Sequence, residues 1–232
     1  KFRLRGSPPC LIREAALLVR RTDATTEVLA DPAAPIWDGA SAQIVNLMQA
    51  PPAMQPTRYI ATKWRDQPYG GLASLAVQGL HNGTAIAFRL RWPDATKNAA
   101  RHENTDFPDA AALLFPLVED APLFMGGEGK PVNLWYWRAD HPERARSDVA
   151  SGIGSSRVVD DQSIAARAVH DGEGWTVVLH RALRVDAHAA ESVQLEPGQR
   201  LRTTFAVWEG GNLERAGIKA FAPQWVDLAI EA

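Results

Sequence analysis

The chain has 232 residues, of which 46% are hydrophobic and 22% charged, so it holds enough apolar material for a sizeable core and lacks the composition of a disordered segment. A formal net charge of −2, with 25 basic residues spread along the chain, excludes the electrostatic footprint of a nucleic-acid binder. A single cysteine, Cys10, excludes an internal disulfide, a CxxCH haem attachment site and every multi-cysteine metal pattern, and leaves Cys10 for a structural role or a bridge to a partner.

In chain order, apolar stretches such as Ala15 to Val19 fall far short of the roughly 20 residues of a bilayer span, which predicts a soluble chain with no membrane insertion. Proline-rich loops at Ala30 to Ala34 and Ala50 to Pro56 flank a predicted strand over Ala42 to Met48. Leu80 to Thr84 carries an Asn-Gly pair, the signal of a tight hairpin. In the strand that follows, Ile86, Phe88, Leu90 and Trp92 share one face, opposite Arg89 and Arg91. Pro93-Asp94-Ala95 ends it, and the polar run Lys97 to Asp109 reads as a loop long enough to cover one end of a sandwich.

Alternation recurs over Val132 to Arg138, Trp175 to Val185 and Leu201 to Trp208, and the turn Asp171-Gly172-Glu173-Gly174 pairs the second of these with Ile164 to His170. Ala, Glu and Arg content predicts short helices over Asp109 to Leu114 and His141 to Ser147. The fold class is therefore mostly β, a β-sandwich with a few short helices and long loops. It reads as a single domain over residues 1–232.

Self-contained catalysis finds no support in the residues. Gly126-Gly127-Glu128-Gly129-Lys130 fails as a phosphate loop, because Phe124 stands where a glycine is needed and Pro131 where a Ser or Thr is needed. The six histidines show no metal spacing, and Asp160-Asp161 sit together in a turn. The glycine cluster makes better sense as an irregular loop letting backbone approach a bulky group, with Met125 at its leading edge; on spacing alone Met125 is a core filler. Lysines are scarce, five against 20 arginines, which singles out Lys219 among few.

The stretch from Met125 to Asp140 (MGGEGKPVNLWYWRAD) resembles the signature of the haem b-binding γ subunits of molybdenum enzymes in the dimethyl sulfoxide reductase family. These include the subunits of ethylbenzene dehydrogenase, dimethyl sulfide dehydrogenase, selenate reductase and chlorate reductase. The stretch from Phe205 to Lys219 (FAVWEGGNLERAGIK) is similar to that family's C-terminal motif, and Ala34 to Trp37, Leu80 to Gly83 and Arg89 to Trp92 add shorter matches. The resemblance implies a β-sandwich similar to a carbohydrate-binding module, with haem iron held by Met125 and Lys219. It also implies an electron-transfer subunit that is not an enzyme alone.

Trp135, Trp137 and Arg138 are the further candidates for contact with the haem, with Tyr136, Trp208 and Lys130 beside them. Core packing for the aromatics and surface exposure for the two cations remain the open alternatives. Alternation lets only half of the aromatic run face a pocket. The implied partners are a molybdopterin-containing α subunit, an iron–sulfur β subunit and a soluble cytochrome or similar redox protein, in the periplasm. Molybdopterin and iron–sulfur clusters belong to those partners. Residues 1–30, which match nothing in the family, read as an N-terminal extension contacting partner subunits. A non-catalytic carbohydrate-binding module is the alternative, since eight tryptophans could form a flat platform for sugars.

A lysine must lose its proton to bind iron. With an ordinary pKa near 10.4 that costs roughly 4 to 5 kcal/mol at pH 7, so the site must make the neutral amine cheaper by burial.

Overall fold

A computed structural model describes residues 16–52, 55 and 57–232. Lys1 and Cys10 lie outside them, as do three residues of the Ala50 to Pro56 loop. The described chain begins with β1 (Leu17–Arg21) and the short helix α1 (Thr26–Ala30), followed by β2 (Gln43–Asn46), β3 (Met48–Gln49) and helix α2 (Arg58–Lys63). There follow β4 (Ser74–His81), β5 (Ala85–Pro93), β6 (Ala110–Pro116), β7 (Val132–Arg138), β8 (Arg144–Ala150), β9 (Arg157–His170) and β10 (Gly174–Ala182). The chain ends with β11 (Arg200–Trp208), β12 (Ala220–Phe221) and β13 (Val226–Ile230).

Ten of these strands form a closed circuit in the order β13-β1-β4-β5-β10-β9-β8-β7-β6-β11, which closes because β11 pairs back onto β13 from Arg200↔Ala229 to Thr203↔Val226. Strand β2 adds to β4, while β12 and β3 extend beyond β11. Only the two pairings of β1 are parallel. The circuit is flattened, so that β4, β5 and β10 face β6, β7 and β11 across the main core. Phe88 meets Phe115 and Trp135 there at centroid distances of 6.2 and 5.9 Å, and Trp92 meets Trp137 at 6.2 Å.

The hairpins read from the sequence are present. Strands β4 and β5 pair up to His81↔Ile86, and β9 and β10 up to Trp175↔His170. Ile86, Phe88, Leu90 and Trp92 all enter the main core, and β7 has the predicted limits. The run from Lys97 to Asp109 forms no strand or helix, and its ends are tied by the Asp109 amide donating to the Asn98 carbonyl at 2.8 Å.

Several expectations fail. The predicted helix over Asp109 to Leu114 is β6, which pairs with β7 on one side and β11 on the other. Alanine's helix preference amounts to tenths of a kcal/mol per residue, about what two full ladders and burial on both faces readily override. The predicted helix over His141 to Ser147 is a turn leading into β8 for the same reason: this segment completes ladders with β7 and β9. The strand expected over Ala42 to Met48 is split into β2 and β3, which join opposite parts of the sheet. Residues 17–30 are built into the sandwich rather than extending from it: β1 lies between β13 and β4, and Leu29 is fully buried.

Because the circuit is two-layered, it has two outer faces. That of β4, β5 and β10 is covered by the chain itself, with Leu29, Ala34, Trp37 and Ala40 packed on Leu80, Ala87 and Val178. The outer face of β6, β7 and β11 carries the site described next.

Candidate metal centre

Two tight turns border this second face, and each presents a candidate ligand. In the first, Gly127 and Lys130 bridge through paired backbone hydrogen bonds of 3.0 and 2.9 Å. Met125 and Gly126 just before it both have left-handed backbone, with φ of 63° and 72°. At Gly126 a Cβ would fall 2.6 Å from the Lys130 carbonyl and 3.0 Å from that of Ala150, so only glycine fits. Met125 has no such freedom and carries strain of about 1–2 kcal/mol, held in place by its carbonyl accepting from the Gly152 amide at 2.7 Å.

In the second turn, Arg215 and Ile218 bridge in the same way, and Lys219 follows directly. Its carbonyl accepts from the Ala50 amide at 3.0 Å. Gly70 passes so close that a Cβ there would lie 2.6 Å from that carbonyl. The buried Glu214 carboxylate organises the loop, accepting from the Gly70 amide at 2.6 Å, the Glu209 amide at 3.1 Å and the Asn212 side chain at 3.1 Å. Gln55 donates from Nε2 to the Gly217 carbonyl at 2.8 Å, while its Oε1 is buried without a partner.

Between the turns lies a cavity of about 670 Å³, its open mouth included, bordered by both Met125 and Lys219. Strand alternation supplies its floor: Ala112 and Leu114 from β6, Leu134 from β7, Ala206 and Trp208 from β11. The alanines matter because any larger side chain would fill the space. A second, open lobe shares Met125, Leu134, Trp208 and Lys219 and adds the polar side chains of Tyr136, Arg146, Asp148 and Ser156. One lobe is thus lined almost wholly by apolar groups, and the other ends in an Arg146–Asp148 ion pair of 3.1 Å.

Lys219 is the anomaly of this region. Its ammonium makes no hydrogen bond or ion pair among the described residues and rests over the Trp208 ring, 4.9 Å from the centroid. The surface it retains faces the cavity that it lines. Burial alone pushes its pKa down to about 8. Holding the amine neutral at pH 7 then costs about 1.4 kcal/mol, against roughly 4 to 5 kcal/mol for an exposed lysine. Burial likewise pushes the Asp148 carboxyl and the Tyr136 phenol up. A neutral amine and a thioether, with no carboxylate between them, suit a borderline or soft metal and not a hard one. An apolar slot between such donors fits the iron macrocycle that the sequence motifs imply.

The structure brings Met125 and Lys219, 94 positions apart, to one cavity, with Tyr136 and Trp208 beside them in edge-on contact at 5.2 Å. It places Trp135 and Trp137 elsewhere. Both are fully buried in the main core, against Phe88 and Phe115 and against Trp92 and Trp175 respectively, so neither borders this cavity as expected of a haem contact. The physical reason is the two-residue period of β7, which turns Leu134 and Tyr136 to the cavity and the two tryptophans away. Arg138 does not border the cavity: its Nε donates to Asp140 at 2.9 Å beyond the end of the floor. Lys130 is exposed and paired with Asp120. The tryptophans form no sugar platform, since seven of the eight are buried and Trp225 is partly buried beneath Arg202. Sequence reasoning missed Ala112, Ala206, Gln55 and Glu214. The small residues of the floor carry no chemical signal in sequence, and the other two act through backbone contacts visible only in the fold.

Residues 34–157 and 148–220 match the ethylbenzene dehydrogenase family. The chain is 33% identical to the chlorate reductase γ subunit of Ideonella dechloratans over 94% of its own length and 86% of that protein's. It is 31% identical to a candidate respiratory nitrate reductase haem subunit of Haloferax mediterranei, covering 66% of this chain and 55% of that protein. It is 28% identical to the dimethylsulfide dehydrogenase γ subunit of Rhodovulum sulfidophilum, covering 84% and 73%.

Among solved structures, a candidate carbohydrate-binding protein from Bacteroides uniformis superposes with a TM-score of 0.57 at 14% identity, covering 93% of this chain and 98% of that one. A family 9 carbohydrate-binding module from Caldicellulosiruptor kristjanssonii superposes with a TM-score of 0.51 at 8% identity, covering 93% and 95%. At such identities the likeness is one of fold. With the family match running over most of its length, the chain belongs to the ethylbenzene dehydrogenase family.

Proposed function

We propose that this chain is the electron-transfer subunit of a multi-subunit molybdenum oxidoreductase, with a b-type haem held between Met125 and Lys219. One observation carries the reading: two donors from separate motifs border one apolar cavity, and among the described residues the nitrogen donor meets only the Trp208 ring. The names of the relatives support it, being γ subunits of a chlorate reductase and a dimethylsulfide dehydrogenase and a haem subunit of a nitrate reductase. A haem bound there supplies one-electron exchange between ferric and ferrous iron.

The residues of this chain do the rest. Lys219 gives up its proton at small cost and offers a nitrogen lone pair, and Met125 offers a thioether that favours the reduced metal. Leu114, Leu134, Ala112 and Ala206 exclude water from the apolar lobe. Were Met125 and Lys219 both to hold the group, it would supply electron transfer alone, and catalysis would fall to a partner. That partner is a molybdopterin-containing α subunit, reached through an iron–sulfur β subunit. A soluble cytochrome exchanges electrons on the other side, in the periplasm.

The test is optical. Purified full-length chain, reduced with dithionite, is expected to show the sharp α and β bands of a low-spin b-type haem. Lys219→Ala and Met125→Ala are each expected to broaden those bands and shift the potential. Reduced protein without such bands and without extractable haem, or unaltered spectra in both variants, would overturn the assignment.

A further inference from the structure

Three carboxylates converge where β5 and β11 end and β6 begins: Asp94, Asp109 and Glu209 each offer an oxygen within 4.8 Å of the others. Asp94 is 5% exposed and Asp109 not at all. Asp109 accepts the Gly210 amide at 2.9 Å, the Asn98 amide at 2.8 Å and Trp175 Nε1 at 3.0 Å, which leaves about one of its four lone-pair positions free. Asp94 is less well served. Its Oδ1 takes the Thr96 amide at 3.0 Å, while its Oδ2 is buried with no partner.

No lysine or arginine forms an ion pair with any of the three among the described residues, and Lys97, the cation next to them in sequence, lies over the Trp175 ring. A buried carboxylate normally has hydrogen bonds or a countercharge on each oxygen. An orphaned Oδ2 in a group of three acids without a cation therefore points to a missing positive charge.

Two more oxygens complete the set. The run Asp94-Ala95-Thr96-Lys97-Asn98 places an oxygen-bearing side chain at every second position. Thr96 Oγ1 lies 2.9 Å from Asn98 Oδ1, 3.3 Å from Asp94 Oδ1 and 3.4 Å from Glu209 Oε1. Donors made only of oxygen, acidic and neutral mixed, are what a hard divalent ion takes, calcium accepting six to eight with water filling the remainder. We propose that Asp94, Thr96, Asn98, Asp109 and Glu209 form a calcium site that staples the Lys97 to Asp109 loop to the start of the segment presenting Lys219. The competing occupant is a proton. Burial and the neighbouring charges of Asp94 and Asp109 push Glu209 up to about 7, so that without a cation it would share a proton with Asp94.

The experiment uses the full-length chain, stripped with a chelator and titrated with terbium and then calcium. Because Trp175 bonds directly to Asp109, tryptophan excitation is expected to sensitise terbium emission, and calcium to quench it by displacement. Calcium is also expected to raise the unfolding temperature by several degrees. Glu209→Gln and Asp94→Asn should each weaken calcium binding about tenfold or more. Glu209 is only partly buried, so its variant decides the matter if Asp94→Asn does not fold. Calcium binding unchanged in Glu209→Gln would overturn the site. So would an absence of binding accompanied by a loss of stability as pH rises from 4.5 to 7, the signature of a protonated Glu209 instead.

Discussion

The two outer faces of the sandwich solve the same problem in opposite ways. Over β4, β5 and β10, the buried cation Arg89 donates from Nε to Gln78 at 2.8 Å and from Nη1 to the Pro32 carbonyl at 3.1 Å, and stacks on Trp37. Gln78 in turn donates to the carbonyls of Trp37 and Ala40 at 2.7 and 2.6 Å. The chain fills that face and satisfies its polar atoms. Over β6, β7 and β11, small residues leave a cavity and Lys219 has, among the described residues, no partner but an aromatic ring. Within one protein, a completed face thus gives the standard against which an uncompleted one is judged, and the difference identifies a ligand site better than cavity size alone.

That contrast can be broken or sharpened by substitution. The largest effect belongs to the filled face: Trp37→Ala removes its fully buried indole, and should cost about 3–5 kcal/mol of stability in denaturant unfolding. A loss below 1 kcal/mol, by the same measure of about one methylene group, would mean that the segment packs more loosely than described.

On the open face the sign reverses. In the haem-free chain at pH 7, Lys219→Leu should stabilise by about 1–3 kcal/mol, because it removes a desolvated charge. The pH dependence follows from the same shift. Folding lowers the Lys219 pKa from 10.5 to about 8, so between those values the unfolded chain binds more protons, and stability rises as pH increases through that window. The Leu variant should lack this rise, and titration of unfolding midpoints from pH 7 to 11 compares the two directly. Equal slopes would show that Lys219 is not desolvated.

The smallest change in stability, within about 1 kcal/mol, is expected for Ala206→Leu, whose added methyls enter space already present. Haem uptake by the same variant should nevertheless fall about tenfold or more, measured by titrating haemin into the stripped chain. Unimpaired uptake would place the cofactor elsewhere.

How much of this was legible in the sequence depends on the kind of signal. The Asn-Gly turn and the alternation in β5 fixed a hairpin and its core face, because one face was apolar and the other carried arginines. In β7 the same rule was ambiguous. Leu134, Trp135, Tyr136 and Trp137 are all apolar or aromatic since both faces of the strand are buried, and the phase that sends the tryptophans inward appears only in the fold. Ala110 to Ala112 misled for a related reason: Ala112 lies under the cavity and Ala111 faces the main core, and propensity reads such an alanine run as helix. Met125 and Lys219 were accessible through family-like motifs and not through spacing. Gln55, Gly70 and Glu214 left no trace, because their roles are contacts with the backbone around Lys219. The acidic group joins positions 94, 109 and 209, a convergence that no local pattern reveals.

The closure of the ten-stranded circuit has a further consequence for assembly. The cavity lies outside the ring of paired strands, on a face that the ring itself holds rigid. A group bound there would be reached without any ladder of the ring opening, so its entry would not require the core to unfold.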